Sequence, residues 1–484
     1  MALLTKSRYV IGLQCPTYLW MATNDKKSLP EPTESEKHIM DQGTGAGKLA
    51  TKVFPKGINI PTDIGFMENI HATKEALKKG KPVFEAGIMA NKCYSRADIL
   101  IPVKDKWDVI EVKATTKVKD EHIDDVAFQK FVYEMAGLKI RQCYLMHLNK
   151  EYVRKGKIDV EQLFVKENIT NDVKKAMGGI EDRVAKMLKI INSDKPKAKI
   201  HYYCDKPYKC PLMKDCWDFL PDENVFHLSR GRKNAFDLFS QGVVCLKDIP
   251  MHAKLTDKQC VQKDCAVNGC VRVNKIGIKN FLKKLKYPLY HLDFETFSLA
   301  VPLMDGTKCW QQIPFQYSLH VEDDAGHLEH HSFVASSEGD PRPEFAEYLK
   351  KALKGEGSIV VYNKSFEKMI LTQLAEFLPK HKDWIEDAIS RLIDLYDVFK
   401  KFDYYNPKQC GSASIKKVLP ALVGKDYSGL NISKGDQASL SFIKMRQGIS
   451  KQEEIDMRFD LMDYCGQDTE AMVWIIQELR KLIN

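Results

Sequence analysis

The period of apolar and polar positions changes several times along the chain. The first 70 residues read as mainly helical around an irregular stretch, Ser28 to Thr33, rich in Pro, Glu and Ser. From Pro82 the pattern shortens: PVFEAGIMA, SRADILIPV and WDVIEVKAT read as three β-rich runs separated by turn residues, as in a meander. A helix is predicted from Asp124 to Gly137, and the apolar run CYLMHL completes a β-β-β-α-β order, which implies a mixed sheet with a crossover helix. Residues 172 to 192 read as one amphipathic helix, and Cys204 to Trp217 as a Cys-rich loop. Residues 219 to 286 are poorly patterned and read as a helical linker ending in the basic segment VRVNKIGIKNFLKKLK. At Tyr287 a second α/β pattern begins: strand YPLYHLDFETF, strands near 313 to 336, helix 343 to 354, strand SIVVYN, then mostly helices. The expected fold class is α/β in two domains, residues 1–218 and 287–484, joined by the 219–286 linker.

Composition narrows what such a chain can do. At 484 residues, 44% hydrophobic and 29% charged, it is too long for one small binding module and too apolar for global disorder. No run reaches the ~18 apolar residues of a membrane span, and the amino terminus lacks a signal-peptide core, so the expected location is the cytoplasm. Thirteen cysteines in a reducing compartment are not a disulfide framework, which leaves metal ligands and buried small hydrophobes. Charge is uneven: residues 1 to 290 carry about +16 and residues 291 to 484 about −7, which together give the net +9. The basic part suits a polyanion and the acidic part suits metals.

The first chemical constellation lies in the meander. Asp98 sits within ADILIP, Glu111 and Lys113 end the next strand, and a hairpin turn at Lys104 to Trp107 sets them side by side. Glu111 and Lys113, two apart, point to one sheet face. Two carboxylates beside an ammonium suit phosphodiester hydrolysis, the acids holding Mg2+ and the lysine positioning water or neutralising the phosphate. Gln129 and Tyr133 are i and i+4 on the following helix and share one face. This stretch, about residues 1 to 218, resembles the PD-(D/E)XK nuclease superfamily. The Gln-x-x-x-Tyr element is similar to the RecB-like branch that includes the CRISPR adaptation nuclease and AddB. The resemblance implies Asp98, Glu111 and Lys113 as the catalytic set, Asp98 and Glu111 as metal ligands, and Gln129 and Tyr133 as substrate- or site-ordering residues. Glu85 is a weaker candidate ligand. The branch often places a metal-binding His in its first helix, whereas Gln42 to Gly47 offers none and His38 lies one turn early.

Just after this region comes Cys204-x5-Cys210-x5-Cys216, with Pro207 and Pro211 forcing turns that present sulfurs from one loop. RecB-like nucleases with an iron-sulfur cluster use one early Cys and three late ones, so the resemblance implies Cys15, in GLQCPTYLW, as the fourth ligand of a [4Fe-4S] cluster. The family's late triplet usually contains Cys-x-x-Cys, and the gap of five here keeps Zn2+ open. Cys260, Cys265 and Cys270 read as free thiols. Cys93, Cys143, Cys245, Cys309, Cys410 and Cys465 read as packing.

The second constellation begins at Asp293 and Glu295, two apart at the carboxyl end of an apolar strand. Buried acids this close repel unless a cation lies between them. SIVVYNKSFEKMIL runs from strand into helix and brings Asn363, Phe366 and Glu367 around the turn; in DYCGQDTEAM, Tyr464 and Asp468 share a helical face. These motifs, over residues 287 to 484, resemble DnaQ-like exonucleases of the DEDD type, and Tyr-x-x-x-Asp selects the tyrosine subclass. The resemblance implies an RNase H-like sheet, two divalent ions (Mg2+ or Mn2+) held by Asp293, Glu295, Glu367 and Asp468, and Tyr464 orienting the attacking water. Phe297 and Phe366 are then expected beside the terminal base or ribose. Glu367 stands where the family has Asp, one methylene shorter, and Asp463 stands where the other subclass has His. Asp394 and Asp397 read as structural. Ser412 and Ser414 read as a helix start with Ser as cap, Lys416 and Lys417 as phosphate contacts or a solvated face, and Arg272, Lys275, Lys279, Lys283, Lys284 and Lys286 as an electrostatic patch.

The whole order of parts resembles an uncharacterised bacterial domain-of-unknown-function family that fuses a RecB-like nuclease to a DnaQ-like domain. It implies a phosphodiester hydrolase acting on DNA in preference to RNA, with a 3′–5′ exonuclease in the carboxy-terminal domain, in repair or defence. RNA 3′ processing and a catalytically lapsed nucleic-acid-binding scaffold are the alternatives. Protein partners are not readable from the sequence.

Overall fold

The computed structural model describes residues 2–484, a mixed α/β chain divided into two compact units. One comprises the residues up to Phe219 with Leu299–Gln311; the other comprises Leu220–Ser298 with Gln312–Asn484.

The first unit is built on a seven-stranded sheet. Its order is Ile58–Asn59, Val83–Ala90, Cys93–Val103, Lys106–Lys113, Ile140–Leu148 and Phe164–Asn168, with Leu4–Thr5 pairing alongside Cys93–Val103. Val83–Ala90, Cys93–Val103 and Lys106–Lys113 form the antiparallel meander. The helix Asp120–Met135 then carries the chain back, so that Ile140–Leu148 runs parallel to Lys106–Lys113. A parallel neighbour demands such a crossover. The helix is buried along most of its length, and its Phe128 stacks on Tyr9 of the helix Lys6–Gln14 with ring centroids 4.7 Å apart. Lys6–Gln14 and Asp120–Met135 therefore lie together over one face of the sheet, which puts Lys6 within reach of the strand ends.

Two expectations for this region are corrected. Residues 172 to 192 are not one helix: Thr170–Ala176 and Ile180–Ile191 are separate, because Gly179 takes φ +69° and breaks the register. The segment Leu299–Gln311 belongs to the first unit, although it lies far along the chain. Ala300 N–H donates to Gln42 Oε1 at 3.0 Å, Arg154 N–H donates to Thr307 O at 3.0 Å, and Ala300 and Cys309 join the apolar cluster of Phe84 and Ile110.

The second unit holds a five-stranded sheet in the order Leu328–Val334, Ile313–Glu322, Leu289–Phe297, Ile359–Val361, Leu392–Asp394. The first two pairings are antiparallel and the last two parallel. Leu289–Phe297 is central and almost wholly buried, as a strand covered on both faces must be. The helix Lys451–Ile483 packs across it, opened by a capping box between Ser450 and Glu453. Residues 220–286 are not a linker. Val225, Leu228, Leu238, Leu246 and Ile249 close a core of their own, and the helix Lys275–Leu282 packs against Lys451–Ile483. Its helices are short and separated by tight turns, so no apolar period lasts long enough to read. Among the described residues no helix is long and apolar enough to cross a membrane.

Candidate functional site

The meander register sets Ile99 against Ile110, which lays Asp98 beside Glu111. Asp98 Oδ2 accepts the Val112 N–H at 2.7 Å. Glu111, 1% exposed, is the hub: it accepts from Lys6 Nζ at 2.9 Å, from Lys113 Nζ at 2.6 Å and from Gln129 Nε2 at 2.6 Å. Lys113 also donates to Asp125 Oδ2 at 2.7 Å. Burial pushes against ionisation of Glu111, but Lys113 and Lys6 outweigh it and hold the carboxyl well below the usual range. Burial and the neighbouring Glu111 charge push Asp98 up to about 7. Tyr133 reaches Ser95 Oγ at 3.3 Å and Gln129 Oε1 at 3.4 Å. Gln129 and Tyr133 are both fully buried, so they order Glu111 from behind, a different place from the substrate contact the sequence also allowed.

In front of these acids opens a cleft of about 820 Å³, lined by Lys6, Asp98, Glu111 and Lys113. Glu85 is on its wall with its carboxylate 2.8 Å from Arg96 Nε. Gly43 and Gly47 of the helix Glu34–Ala50 also line it, and a Cβ at either would meet nothing within 4 Å. The stretch that lacks the motif His thus faces the cleft, and His38 does not line it.

Cys15, Cys204 and Cys210 are buried and Cys216 is half-buried. The Cys210 thiol is pushed up to about 11 by burial, and Cys15, Cys204 and Cys216 each add to the rise, so the four sulfurs share one electrostatic neighbourhood. Tetrahedral zinc with bonds of about 2.3 Å needs sulfurs about 3.8 Å apart. Among the described residues no three of these thiols lie within 4.8 Å of one another.

In the second unit Asp293 and Glu295 project from Leu289–Phe297, and with Cys465 they bring one ligand atom each within 4.8 Å of one another. Cys465 Sγ is 3.6 Å from Asp293 Oδ2, so this cysteine lines the acid cluster and is not mere packing. Asn363, in the left-handed region at φ +94°, turns the strand Ile359–Val361 into the helix Lys364–Phe377 and sets Glu367 in its first turn. Asp394 Oδ1 fixes that turn by accepting the Asn363 N–H at 3.0 Å. Glu367 is 2% exposed, and its Oε2 has no hydrogen-bond partner. Asp468 accepts from the Tyr427 hydroxyl, while Lys416 Nζ donates to the Tyr464 hydroxyl at 2.9 Å.

Burial raises all four carboxyls. Asp468 adds to the rise of Asp293 and Glu295, and Asp293 to that of Glu367. Such a donor set fits hard divalent cations, which repay the desolvation and leave no oxygen orphaned.

Several expectations fall differently. Phe297 is 1% exposed and packs on Phe442 with centroids 5.3 Å apart, so it belongs to the core and not beside a ligand; Phe366 stays half-buried next to Glu367. Ser414 begins the helix Ile415–Leu422 without a side-chain capping bond; its Oγ accepts instead from the Ser412 hydroxyl at 3.2 Å. Lys416 is half-buried beside Tyr464, unlike exposed Lys417. Asp463 is exposed, and Asp397 pairs with Lys401 at 2.8 Å. Lys6, Asp125 and Tyr427 are the site residues sequence reasoning missed. Asp125 had a readable signal, four residues before Gln129 on the same face; Lys6 and Tyr427 come from distant segments with no local mark.

The architecture is that of a mixed α/β protein with two separate groups of buried carboxyls. Residues 290–414 match a family model described as a domain of unknown function (DUF2779). That stretch carries Asp293, Glu295 and Glu367 and ends before the helix bearing Tyr464 and Asp468. The chain is similar to an uncharacterized protein of Mycoplasma pneumoniae, the MG366 homolog, at 31% identity over 41% of this chain and 33% of the relative. It is also similar to uncharacterized protein MG366 of Mycoplasma genitalium, at 30% over 43% of this chain and 34% of the relative. A third, uncharacterized protein UU173 of Ureaplasma parvum, is 27% identical over 45% of this chain and 34% of its own length. The chain thus spans about a third of the length of the curated relatives it matches.

Proposed function

We propose that this chain is a metal-dependent nuclease acting on DNA, with a DnaQ-like 3′–5′ exonuclease in residues 287–484 and a RecB-like nuclease in residues 1–218. The observation that carries the reading is the convergence of Asp293, Glu295, Glu367 and Asp468 from three elements, each raised by burial, with Glu367 Oε2 unpartnered. Mg2+ or Mn2+ held by these four would activate water and stabilise the charge of a phosphate under attack. The chain's own contribution is positional. Lys416 donates to the Tyr464 oxygen, and the Tyr464 hydroxyl is in turn a hydrogen-bond partner of Asp468, so the phenol is held at the acids, where it would orient a water. Tyr427 holds Asp468 by its hydroxyl and keeps one carboxylate oxygen turned aside.

In the first unit Asp98 and Glu111 are the ligand pair for a divalent cation, and Lys113 is the cation nearest an incoming phosphate. Asp125 anchors Lys113, so that the ammonium stays in place when Glu111 turns to the metal. Cys15, Cys204, Cys210 and Cys216 would hold a [4Fe-4S] cluster that ties the early helices to the late loop, a structural and not a hydrolytic role.

The test uses separate Asp293→Ala and Glu111→Ala proteins on end-labelled linear and closed circular substrates, DNA beside its RNA twin, with Mg2+ or Mn2+. Loss of 3′-terminal release in Asp293→Ala, with DNA degraded faster than RNA, is the expected result. Nucleic-acid binding that persists in chelator with no products under either metal overturns it.

A further inference from the structure

The chain from Asn192 to Leu212 forms neither helix nor strand, yet it is firmly held. Gln14 Nε2, from a buried side chain, donates to Tyr203 O at 3.0 Å and Tyr208 O at 2.7 Å. Thr17 Oγ1 donates to Pro196 O at 3.3 Å, and Trp20 Nε1 to Ser193 O at 2.7 Å. The backbone is pinned inward by its carbonyls, with Cys204, Cys210 and Leu212 buried beneath it and the tyrosines and lysines on its outer side. Those side chains are unusual: Tyr202, Tyr203 and Tyr208 are 39%, 56% and 58% exposed. Between Lys195 and Lys209 five exposed lysines stand against one aspartate, Asp205. Tyr202 and Tyr203 meet edge-on with centroids 5.8 Å apart, and Lys206 Nζ lies 5.1 Å from the Tyr202 ring centre.

Exposed rings interleaved with ammonium groups match a polymer that alternates flat apolar faces with regularly spaced anions. A duplex hides its base faces and offers only phosphates to such a surface; a single strand offers both. The loop is also tied toward the first centre: Gln14, which holds the Tyr203 and Tyr208 carbonyls, ends the helix Lys6–Gln14, and Lys6 at the other end of that helix lines the cleft of Asp98 and Glu111.

We propose that Lys195–Lys209 is a stacking track for single-stranded nucleic acid, with Tyr202 and Tyr208 as its base platforms, on the same unit as the Asp98–Glu111 centre. The inference rests on the nuclease reading of that centre and names the strandedness of its substrate.

The test is binding of the full chain, in chelator, to fluorescent 20-nucleotide dT and rU strands, to a duplex of the same length, and to anionic phospholipid vesicles. Single strands are expected to bind more tightly than duplex. Tyr202→Ala and Tyr208→Ala are each expected to weaken single-strand binding about tenfold, and the Phe variants to restore it, because stacking needs the ring and not the hydroxyl. Lys197→Ala with Lys199→Ala is expected to flatten the salt dependence by about 1.4 in log–log slope. Single-strand affinity unchanged in both Ala variants overturns the track, as does ring-dependent binding of duplex or vesicles in place of single strands. Ring-dependent binding without products under any metal supports the track and sinks the nuclease reading alone; products formed by a protein whose single-strand affinity ignores both rings sink the track alone.

Discussion

At Glu111 two lysines and a glutamine close on one buried carboxylate; around Asp293 four carboxyls have a single lysine nearby, and Lys416 donates to Tyr464 and Ser433 instead of to any of them. The first centre folds with its charge already compensated, as an ion-pair network with Asp98 and Asp125 at its edges. The second holds its acids only by keeping them protonated or by binding a cation. Compensation by lysine costs competition, since a metal entering the first centre must draw Glu111 away from Lys6 and Lys113. Compensation by cation leaves the second centre electrostatically frustrated whenever the ion is removed.

The largest way to break this contrast is to neutralise one acid in each. Glu111→Gln leaves half-buried Lys6 and Lys113 against a weaker partner, and removing the buried member of such a pair costs about 3 kcal/mol. Asp293→Asn in chelator removes a repulsion and should gain about 1–2 kcal/mol of stability, and with Mg2+ or Mn2+ present the same substitution should abolish 3′-terminal release. Hydrogen exchange read at Lys106–Lys113 and at Leu289–Phe297 reports each effect locally. Equal destabilisation by both substitutions would show that the two centres do not differ in this way.

Adding Mn2+ sharpens the same contrast. At about 100 times its dissociation constant a bound ion stabilises the folded state by about 2.7 kcal/mol. Exchange should slow at Leu289–Phe297 much more than at Lys106–Lys113, because only the second centre gains without losing a lysine contact. Equal slowing at both would refute the lysine competition.

Proton linkage separates residues within the first centre. Asp98, raised from 3.8 to about 7, contributes stability that is full below its ordinary value and lost as pH rises through 7. Glu111, held low, contributes the opposite way: its share is present above 4.5 and lost as pH falls through its folded value. In chelator the chain should lose stability between about pH 3.8 and 7, the raised acids of the second centre adding to the fall, and Asp98→Asn should reduce that slope, since Asn Oδ1 can still accept the Val112 N–H. A melting profile across this range with an unchanged slope would remove Asp98 as its source.

The parts of both centres that were legible in the sequence are those set by local periodicity. Two-residue spacing put Glu111 with Lys113 and Asp293 with Glu295, and four-residue spacing put Gln129 with Tyr133 and Tyr464 with Asp468. What could not be read depends on tertiary placement. Lys6 reaches Glu111 from 105 residues away because Tyr9 and Phe128 stack their helices together. Tyr427 meets Asp468 from a turn with no motif, and Leu299–Gln311 leaves the strands around it to join the first unit. Cys465 looked like packing because a cysteine inside an apolar helical face carries no sign of the carboxylate opposite.

The smallest effect tests how each centre is held in place. Glu111 is backed by a relay in which Ser95 and Tyr133 steady Gln129, and Gln129 steadies the carboxylate, through bonds of 3.3, 3.4 and 2.6 Å. The first two are long, so Tyr133→Phe should cost only about 0.5–1.5 kcal/mol. Gln129 then keeps its donor bond but loses a constraint on its amide orientation, and a flipped amide would turn its oxygen toward Glu111. Hydrolysis at the first centre should fall a few-fold with substrate affinity unchanged, because Tyr133 is fully buried and lines no part of the cleft. Release of 3′ nucleotides by the second centre should not change. A drop in substrate affinity instead of turnover would mean that Tyr133 senses the bound strand, and the relay would have to be redrawn as part of the binding surface.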